Sequence, residues 1–574
     1  MARVPEVSLT QFRRIVGVWM GLILLLPQAS AAAPVLDHLF PAGLQAGTSN
    51  AVTFVGKFDP WPPRVWSDAP GLTFEPTTNN GVFTVWAATN TPPGPHFVRT
   101  FNGDGASAPR FLWVTQDAPA AEVEPNGEWN NPQALERLPA TINGRLEKNG
   151  DVDSYAVRLE AGQTLVAWIE AYTLMSPLDP VLRLVDSRGI QVAWNHDDGR
   201  SLDPLLAWTA PAQGSYTVQV FAFAYPADSD IRFTGNARAV YRLHLTSGPV
   251  VRHTLPLGIR RGVRTPLQLR GWNLGAETNP VVEFDGGTVG PTADRVSFLP
   301  VAGVSLLDLQ VGDGPEGMES EPNSKSAEAN PIELPGARTG ELGSAGDEDR
   351  YRFTATQGEG VLMEIQSAAL GFPLDAWLRV EDLTGRELAR NDDATGADPR
   401  LEWTVPEDGT YVAAVGNVLQ RGGESAWYRL SVRRPVPALK ATVADNTMVL
   451  EPGKTHEITV TVTRQHGFDA PLQIRTASLP EGVRAEPVEV SAKGGATTLK
   501  LVAADSAAPF SGPIGIQVVE TGSGREHAVT MELVSAGENN GVPQGFRRLV
   551  LESISQFWLT VLPAPAPAKA VETK

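Results

Sequence analysis

The chain repeats itself over long stretches, and the repeat limits what it can be. Pro34-Val35-Leu36-Asp37-His38-Leu39-Phe40-Pro41-Ala42-Gly43 returns as Pro249-Val250-Val251-Arg252-His253-Thr254-Leu255-Pro256-Leu257-Gly258, and the same offset carries Gly47 onto Gly262 and Gly56 onto Gly271. A second set of motifs follows each copy. Glu124-Pro125-Asn126, Gly150-Asp151-Val152-Asp153-Ser154-Tyr155, Leu178-Asp179 and Gly214-Ser215-Tyr216 recur in order as Glu321-Pro322-Asn323, Gly346-Asp347-Glu348-Asp349-Arg350-Tyr351, Leu374-Asp375 and Gly409-Thr410-Tyr411. A two-module cassette has therefore been duplicated. Chains of this kind are usually strings of binding or spacer modules, whereas an enzyme normally has one catalytic domain whose residues occur once.

Period-2 runs bounded by Gly, Pro, Asn and Asp are frequent, and sustained 3.6-residue periodicity is almost missing, so the fold class is all-β, as tandem sandwiches. Ile458, Val460 and Val462 alternate with Thr459, Thr461 and Thr463, one face for the core and one for water. Tyr216, Val218 and Val220 alternate similarly, as do Tyr241, Leu243 and Leu245, while Leu165–Ile169 is apolar on both faces and reads as an inner strand. The 55 glycines and 47 prolines fit turn-rich β-structure and stay below the roughly 25–30% that marks disorder. Five modules are expected, at 34–116, 119–247, 249–313 (a shorter copy of the first), 318–433 and 436–563, with a loose Pro/Ala-rich tail at 564–574. In the first, strands are expected at Ala51–Val55, Val82–Ala87 and Phe111–Val114; in the last, Phe557–Val561 closes the module.

Residues 1–31 read as an export signal: Arg3, Arg13 and Arg14, an apolar run from Ile15 to Leu26, then Ala29-Ser30-Ala31 as a small-residue cleavage site. The run is shorter than the about 20 residues a membrane span needs, and no second one exists, so a secreted, periplasmic or cell-surface protein without a membrane span is expected. Removing these residues moves the formal charge from −18 to −20, since three arginines and one glutamate are lost. An acidic surface of this kind repels phosphate backbones, which excludes nucleic acid as a partner. With no cysteine, disulfides, thiolate metal sites and cysteine nucleophiles are excluded too.

The opening of the first module, with Gly56 after a strand, resembles the immunoglobulin-like TIG type of domain, and 436–563 resembles another immunoglobulin-like sandwich. The ordered motifs of the second module type resemble the bacterial pre-peptidase C-terminal domain, a jelly-roll sandwich. Collagenase members of that family bind calcium through a Glu-x-Glu-x-Asn stretch and an acidic loop ahead of an aromatic strand. The resemblance thus implies calcium as the cofactor, held by Glu122, Glu124, Asn126, Asp151 and Asp153 in one copy and by Glu319, Glu321, Asn323, Asp347 and Asp349 in the other. The residues speak for the same chemistry independently. Acids two apart on an extended segment point one way; if the two stretches meet, four carboxylates converge, and a cation relieves their repulsion. One departure is that Gly127 and Ser324 stand where family examples often have another acid. The same residue types also form turns by hydrogen-bonding their own backbone, the course expected for Asn195-His196-Asp197-Asp198, Asn391-Asp392-Asp393, Asp203 and Asp398. His196 has no counterpart in the second copy, which argues against a shared metal role.

The eight histidines are scattered, with neither a His-Glu-x-x-His helix nor a Gly-x-Ser-x-Gly elbow, so no enzyme activity is expected. Trp61-Pro62-Pro63-Arg64-Val65-Trp66 reads as a stiffened loop whose indoles Trp61 and Trp66 could meet a ligand, against the default of core packing. The function expected is an exported, non-catalytic binding or scaffold protein with calcium-stabilised modules, its partner an extracellular or envelope protein or polysaccharide. The alternative is an accessory substrate-binding protein acting in trans with a secreted peptidase or other hydrolase.

Overall fold

The computed structural model describes residues 32–198, 202–224, 232–275, 280–291, 293–298, 307–393, 398–534 and 550–564. The expected signal at 1–31 and all but the first residue of the tail lie outside them. The fold is all-β: among the described residues the regular elements are forty-five strands and three single-turn 3₁₀ helices.

Residues 35–115 form two four-stranded sheets. One runs in the order Val35–Phe40, Ser49–Lys57, Val82–Ala87, Leu72–Pro76, and the other Gly43–Gln45, Arg110–Thr115, Gly94–Phe101, Arg64–Ser67. Residues 250–312 repeat the first three strands of each, as Val250–Leu255, Arg264–Trp272, Val281–Asp285 and Gly258–Arg260, Leu307–Gly312, Arg295–Phe298. The edge strands Arg64–Ser67 and Leu72–Pro76 have no counterpart among the described residues there. The repeated glycines have a steric cause: a Cβ on Gly56 would lie 2.0 Å from the Val35 carbonyl oxygen, and one on Gly271 2.0 Å from that of Val250. The first strand crosses so closely only because the next has no side chain there.

The second module type folds identically twice. In the first copy Gln133–Ala134, Asp153–Leu159, Gly214–Ala224, Leu178–Val185 and Gln191–Asn195 face Leu205–Thr209, Thr164–Glu170, Val240–Thr246, Ala140–Arg145 and Ala120–Ala121. In the second, Asn330–Pro331, Glu348–Ala355, Gly409–Asn417, Ala376–Glu381 and Glu387–Asn391 face Arg400–Thr404, Gly360–Gln366, Trp427–Arg433, Gly336–Glu341 and Glu316–Met318. Each core fills with the inward residues of both sheets, among them Leu165, Leu182 and Val218, or Met363, Leu378 and Val415. Burying a side chain of this size stabilises the fold by about 1.5–3 kcal/mol. In the terminal module Thr455–Gln465 buries Ile458, Val460 and Val462 and exposes Thr459, Thr461 and Thr463, and Gln556–Val561 is the last strand.

A buried arginine sits at each cassette's internal junction. Arg242 is 1% exposed, stacks over Trp113 at 4.7 Å, faces Gly43 and pairs with Glu170. Arg429 occupies the same place against Gly258, but its cross-strand neighbour is Gln366 where Arg242 has Glu170. The compensating charge comes instead from Glu316, on the edge strand Glu316–Met318 beyond Gly336–Glu341, with Gln366 Oε1 accepting from Arg429 at 2.8 Å. A buried cation needs a paired anion, whichever strand supplies it.

Candidate metal centres

Each duplicated module gathers acids from its entry segment and from one inner strand. In the first copy the entry runs alongside Ala140–Arg145, with the Glu122 N–H donating to the Asn143 carbonyl at 3.3 Å. That fixes Glu122, whose Oε2 accepts from the Arg145 N–H at 2.8 Å. Glu124 then accepts from the Asn126 N–H at 3.0 Å, and the Asn126 carbonyl accepts from the Ser154 N–H at 3.1 Å, tying the entry to Asp153–Leu159. One oxygen each of Glu122, Glu124 and Asp153 lie within 4.8 Å of one another. The second copy repeats the set with Glu319, Glu321 and Asp349, the Asn323 N–H donating to Glu321 at 2.9 Å.

Two tyrosines floor each cluster. Tyr155 donates to Glu122 Oε1 at 3.1 Å, Tyr241 donates to Asp153 Oδ2 at 2.6 Å, and the two hydroxyls are 2.6 Å apart. Tyr351, Tyr428, Glu319 and Asp349 reproduce this at 3.1, 2.6 and 2.7 Å. Tyr241 and Tyr428 can lie there because their cross-strand neighbours are Gly144 and Gly340: a Cβ on Gly144 would come 2.2 Å from the Tyr241 ring, and one on Gly340 2.4 Å from the Tyr428 hydroxyl. Burial, then the charge of Glu122, pushes the Asp153 carboxyl far above the ordinary carboxylate range; burial, then Glu319, does the same to Asp349. Burial raises all four tyrosines, which keeps them neutral donors.

These centres leave buried acceptors open. Asn126, Asp153, Asn323 and Asp349 are fully buried, yet Oδ1 of each has no hydrogen-bond partner among the described residues. Asn126 Nδ2 donates to Glu122 Oε1 at 3.4 Å and Asn323 Nδ2 to Glu319 Oε2 at 3.3 Å, which sets each amide beside the acids; an unsatisfied buried oxygen costs about 1–3 kcal/mol, which a positive group would offset. Three carboxylates and an amide oxygen form the all-oxygen donor set of a hard cation, and the residues fit calcium.

The sequence-predicted ligands divide. Glu122, Glu124, Asn126 and Asp153, with their four counterparts, come together; Asp151 and Asp347 lie beside the group and cap turns instead. Asp151 Oδ2 accepts from the Glu147 N–H at 2.6 Å and Asp347 Oδ2 from the Gly343 N–H at 2.9 Å. Tyr241 and Tyr428 are absent from the sequence-predicted set, although Tyr241-Arg242-Leu243 recurs as Tyr428-Arg429-Leu430. Asp203 and Asp398 cap turns, but of a segment distant in sequence rather than their own backbone as expected, each accepting three successive backbone N–H groups, at Ala171–Thr173 and Ser367–Ala369. Trp61 and Trp66 do not share an exposed loop. Trp61 packs 5.0 Å from Phe83 at the edge of the first core, and Trp66, on the strand Arg64–Ser67, meets Trp558 of the terminal module at 5.8 Å. Apolar area was available to both, and packing took it.

No family model matches the chain. Over 102 residues it is 36% identical to a probable subtilase-type serine protease of Deinococcus radiodurans, a match covering 17% of this chain and 14% of the protease. Among solved structures, the pre-peptidase C-terminal domain of Bacillus anthracis collagenase is similar at 18% identity and a TM-score of 0.16, covering 20% of this chain and 99% of that domain. Fibronectin(III)-like modules of Clostridium thermocellum CbhA are similar at 10% identity and a TM-score of 0.11, covering 42% and 91%.

Proposed function

We propose that the chain is an exported, non-catalytic binding or scaffold protein in which a calcium ion stabilises each duplicated module. The observation that carries this is the carboxylate–tyrosine cluster built twice, each time with one Asn and one Asp Oδ1 left open among the described residues. Glu122, Glu124, Asn126 and Asp153 would hold one ion, and Glu319, Glu321, Asn323 and Asp349 the other. The ion supplies positive charge where two glutamates converge on a buried aspartate. The protein's own groups do the positioning: the Arg145 and Glu341 amides orient the first glutamates, and the tyrosine pairs orient the aspartates. Because Glu122 and Glu319 stand on segments that lead out of the preceding module, an ion there would also stiffen the junction. The missing hydrolase signatures support a non-catalytic role, and the absence among the described residues of a helix long and apolar enough to cross a membrane is compatible with export. The local likeness to the protease favours one second reading, an accessory that presents substrate to a separate secreted hydrolase.

The test is thermal unfolding of the full mature chain in millimolar calcium against chelator. Binding only to the folded state stabilises by about 1.4 kcal/mol at a tenfold excess over Kd, so the transitions of the two modules are expected to move upward. Transitions that stay in place, and that Glu124→Gln leaves unaltered, would overturn the calcium reading.

A further inference from the structure

A third cluster stands apart from both calcium centres, and its chemistry is different. Asp179 is the second residue of the strand Leu178–Val185; His196 and Asp197 directly follow the edge strand Gln191–Asn195 paired with it. The turn is held on both sides: Asn195 Nδ2 donates to the Leu205 carbonyl at 2.5 Å, and Asp198 pairs with Arg252 of the following module at 2.6 Å. Between these anchors Asp179 Oδ1, a His196 ring nitrogen and an Asp197 carboxylate oxygen lie within 4.8 Å of one another, and Phe223 packs edge-on against the imidazole at 5.9 Å.

The contact has the spacing of co-ligands without the alignment of a hydrogen bond. His196 Nε2 is 3.1 Å from Asp179 Oδ1, yet among the described residues neither atom has a hydrogen-bond partner, nor does Asp197 Oδ1, and all three are shielded from solvent. Two ligands at 2.0–2.2 Å from one tetrahedral ion sit roughly 3.3 Å apart, close to that spacing. Imidazole with carboxylates suits zinc and related transition metals, whereas calcium takes oxygens. We infer that Asp179, His196 and Asp197 form a binding site for a zinc-class divalent transition metal, with water completing the coordination.

The duplication supplies an internal control. The register that pairs Leu182 with Asn195 pairs Leu378 with Asn391, so the corresponding positions are Asp375, Asp392 and Asp393, with no imidazole. The site thus belongs to the first copy alone, in line with His196 having no repeat equivalent.

The test uses the full mature chain held in millimolar calcium, so that the oxygen-only centres are occupied and their failure is separable. Zinc titrated by calorimetry is expected to bind once per chain, and cobalt(II) to give the intense visible absorbance of a tetrahedral site that zinc abolishes. His196→Ala or Asp179→Asn is expected to weaken zinc at least tenfold and remove the cobalt band, with an unaltered circular dichroism spectrum; Asp392→Asn is expected to change neither. No saturable zinc binding, or binding indifferent to His196→Ala, would overturn the proposal and leave an Asp179–His196 ion pair only.

Discussion

A tyrosine hydroxyl donated to a buried carboxyl is a commitment, because taking it away leaves a buried oxygen with neither water nor a partner. Tyr241 does this for Asp153 while also touching Tyr155, and Tyr428 does it for Asp349. Tyr241→Phe should therefore lower stability in calcium-free buffer by about 1–3 kcal/mol, the usual effect of stranding a buried acceptor. Tyr216→Phe loses only a bond to the Ala212 carbonyl, itself open to water, and should change stability by no more than about 0.5–1.5 kcal/mol. Denaturant midpoints of the two variants decide this. At this scale the acids were legible in the sequence, since two-residue spacing on an extended chain aims carboxylates one way. Asp151 was not separable from Asp153, because the spacing is the same whether an acid faces the cluster or caps the turn. Tyr241 read as core, since a strand's alternating pattern looks the same for a tyrosine that packs and one whose hydroxyl donates.

Between elements, the site depends on a close pairing of two strands. Gly144 and Tyr241 face each other across Ala140–Arg145 and Val240–Thr246, and the ring occupies the space of the missing Cβ. Gly144→Ala should push the ring out of place and cost about 1–3 kcal/mol, as overpacking does. It should also weaken the calcium-dependent stabilisation of the first module, as Gly340→Ala should for the second. Gly103→Ala, where a Cβ meets nothing within 4 Å, should stay within about 0.5 kcal/mol. Thermal melts with and without calcium measure both effects. Strand positions were the most readable part of the chain: Val82–Ala87 forms over the expected residues, and Ala51–Val55 falls inside Ser49–Lys57. Which glycine faces which ring was not readable, because cross-strand register depends on contacts distant in sequence.

Across the whole molecule, the duplication was readable and the docking was not. Repeated motifs announced two cassettes, but the arginine that faces Gly43 in one and Gly258 in the other, each with its acid on a different strand, follows from surfaces that meet only on folding. The same holds for Trp558, 3% exposed among Trp66, Phe101 and Arg99 of the first module. Two tryptophans that read as a ligand loop are therefore held by the protein's own packing. The central claim is that duplication made two equivalent calcium centres, and equilibrium dialysis of the mature chain against calcium tests it most directly. Two ions per chain are expected, one in Asp153→Asn or Asp349→Asn and none in the double variant. A wild-type chain that binds no calcium at millimolar concentration, or one whose stoichiometry is unchanged in the double variant, would contradict the account.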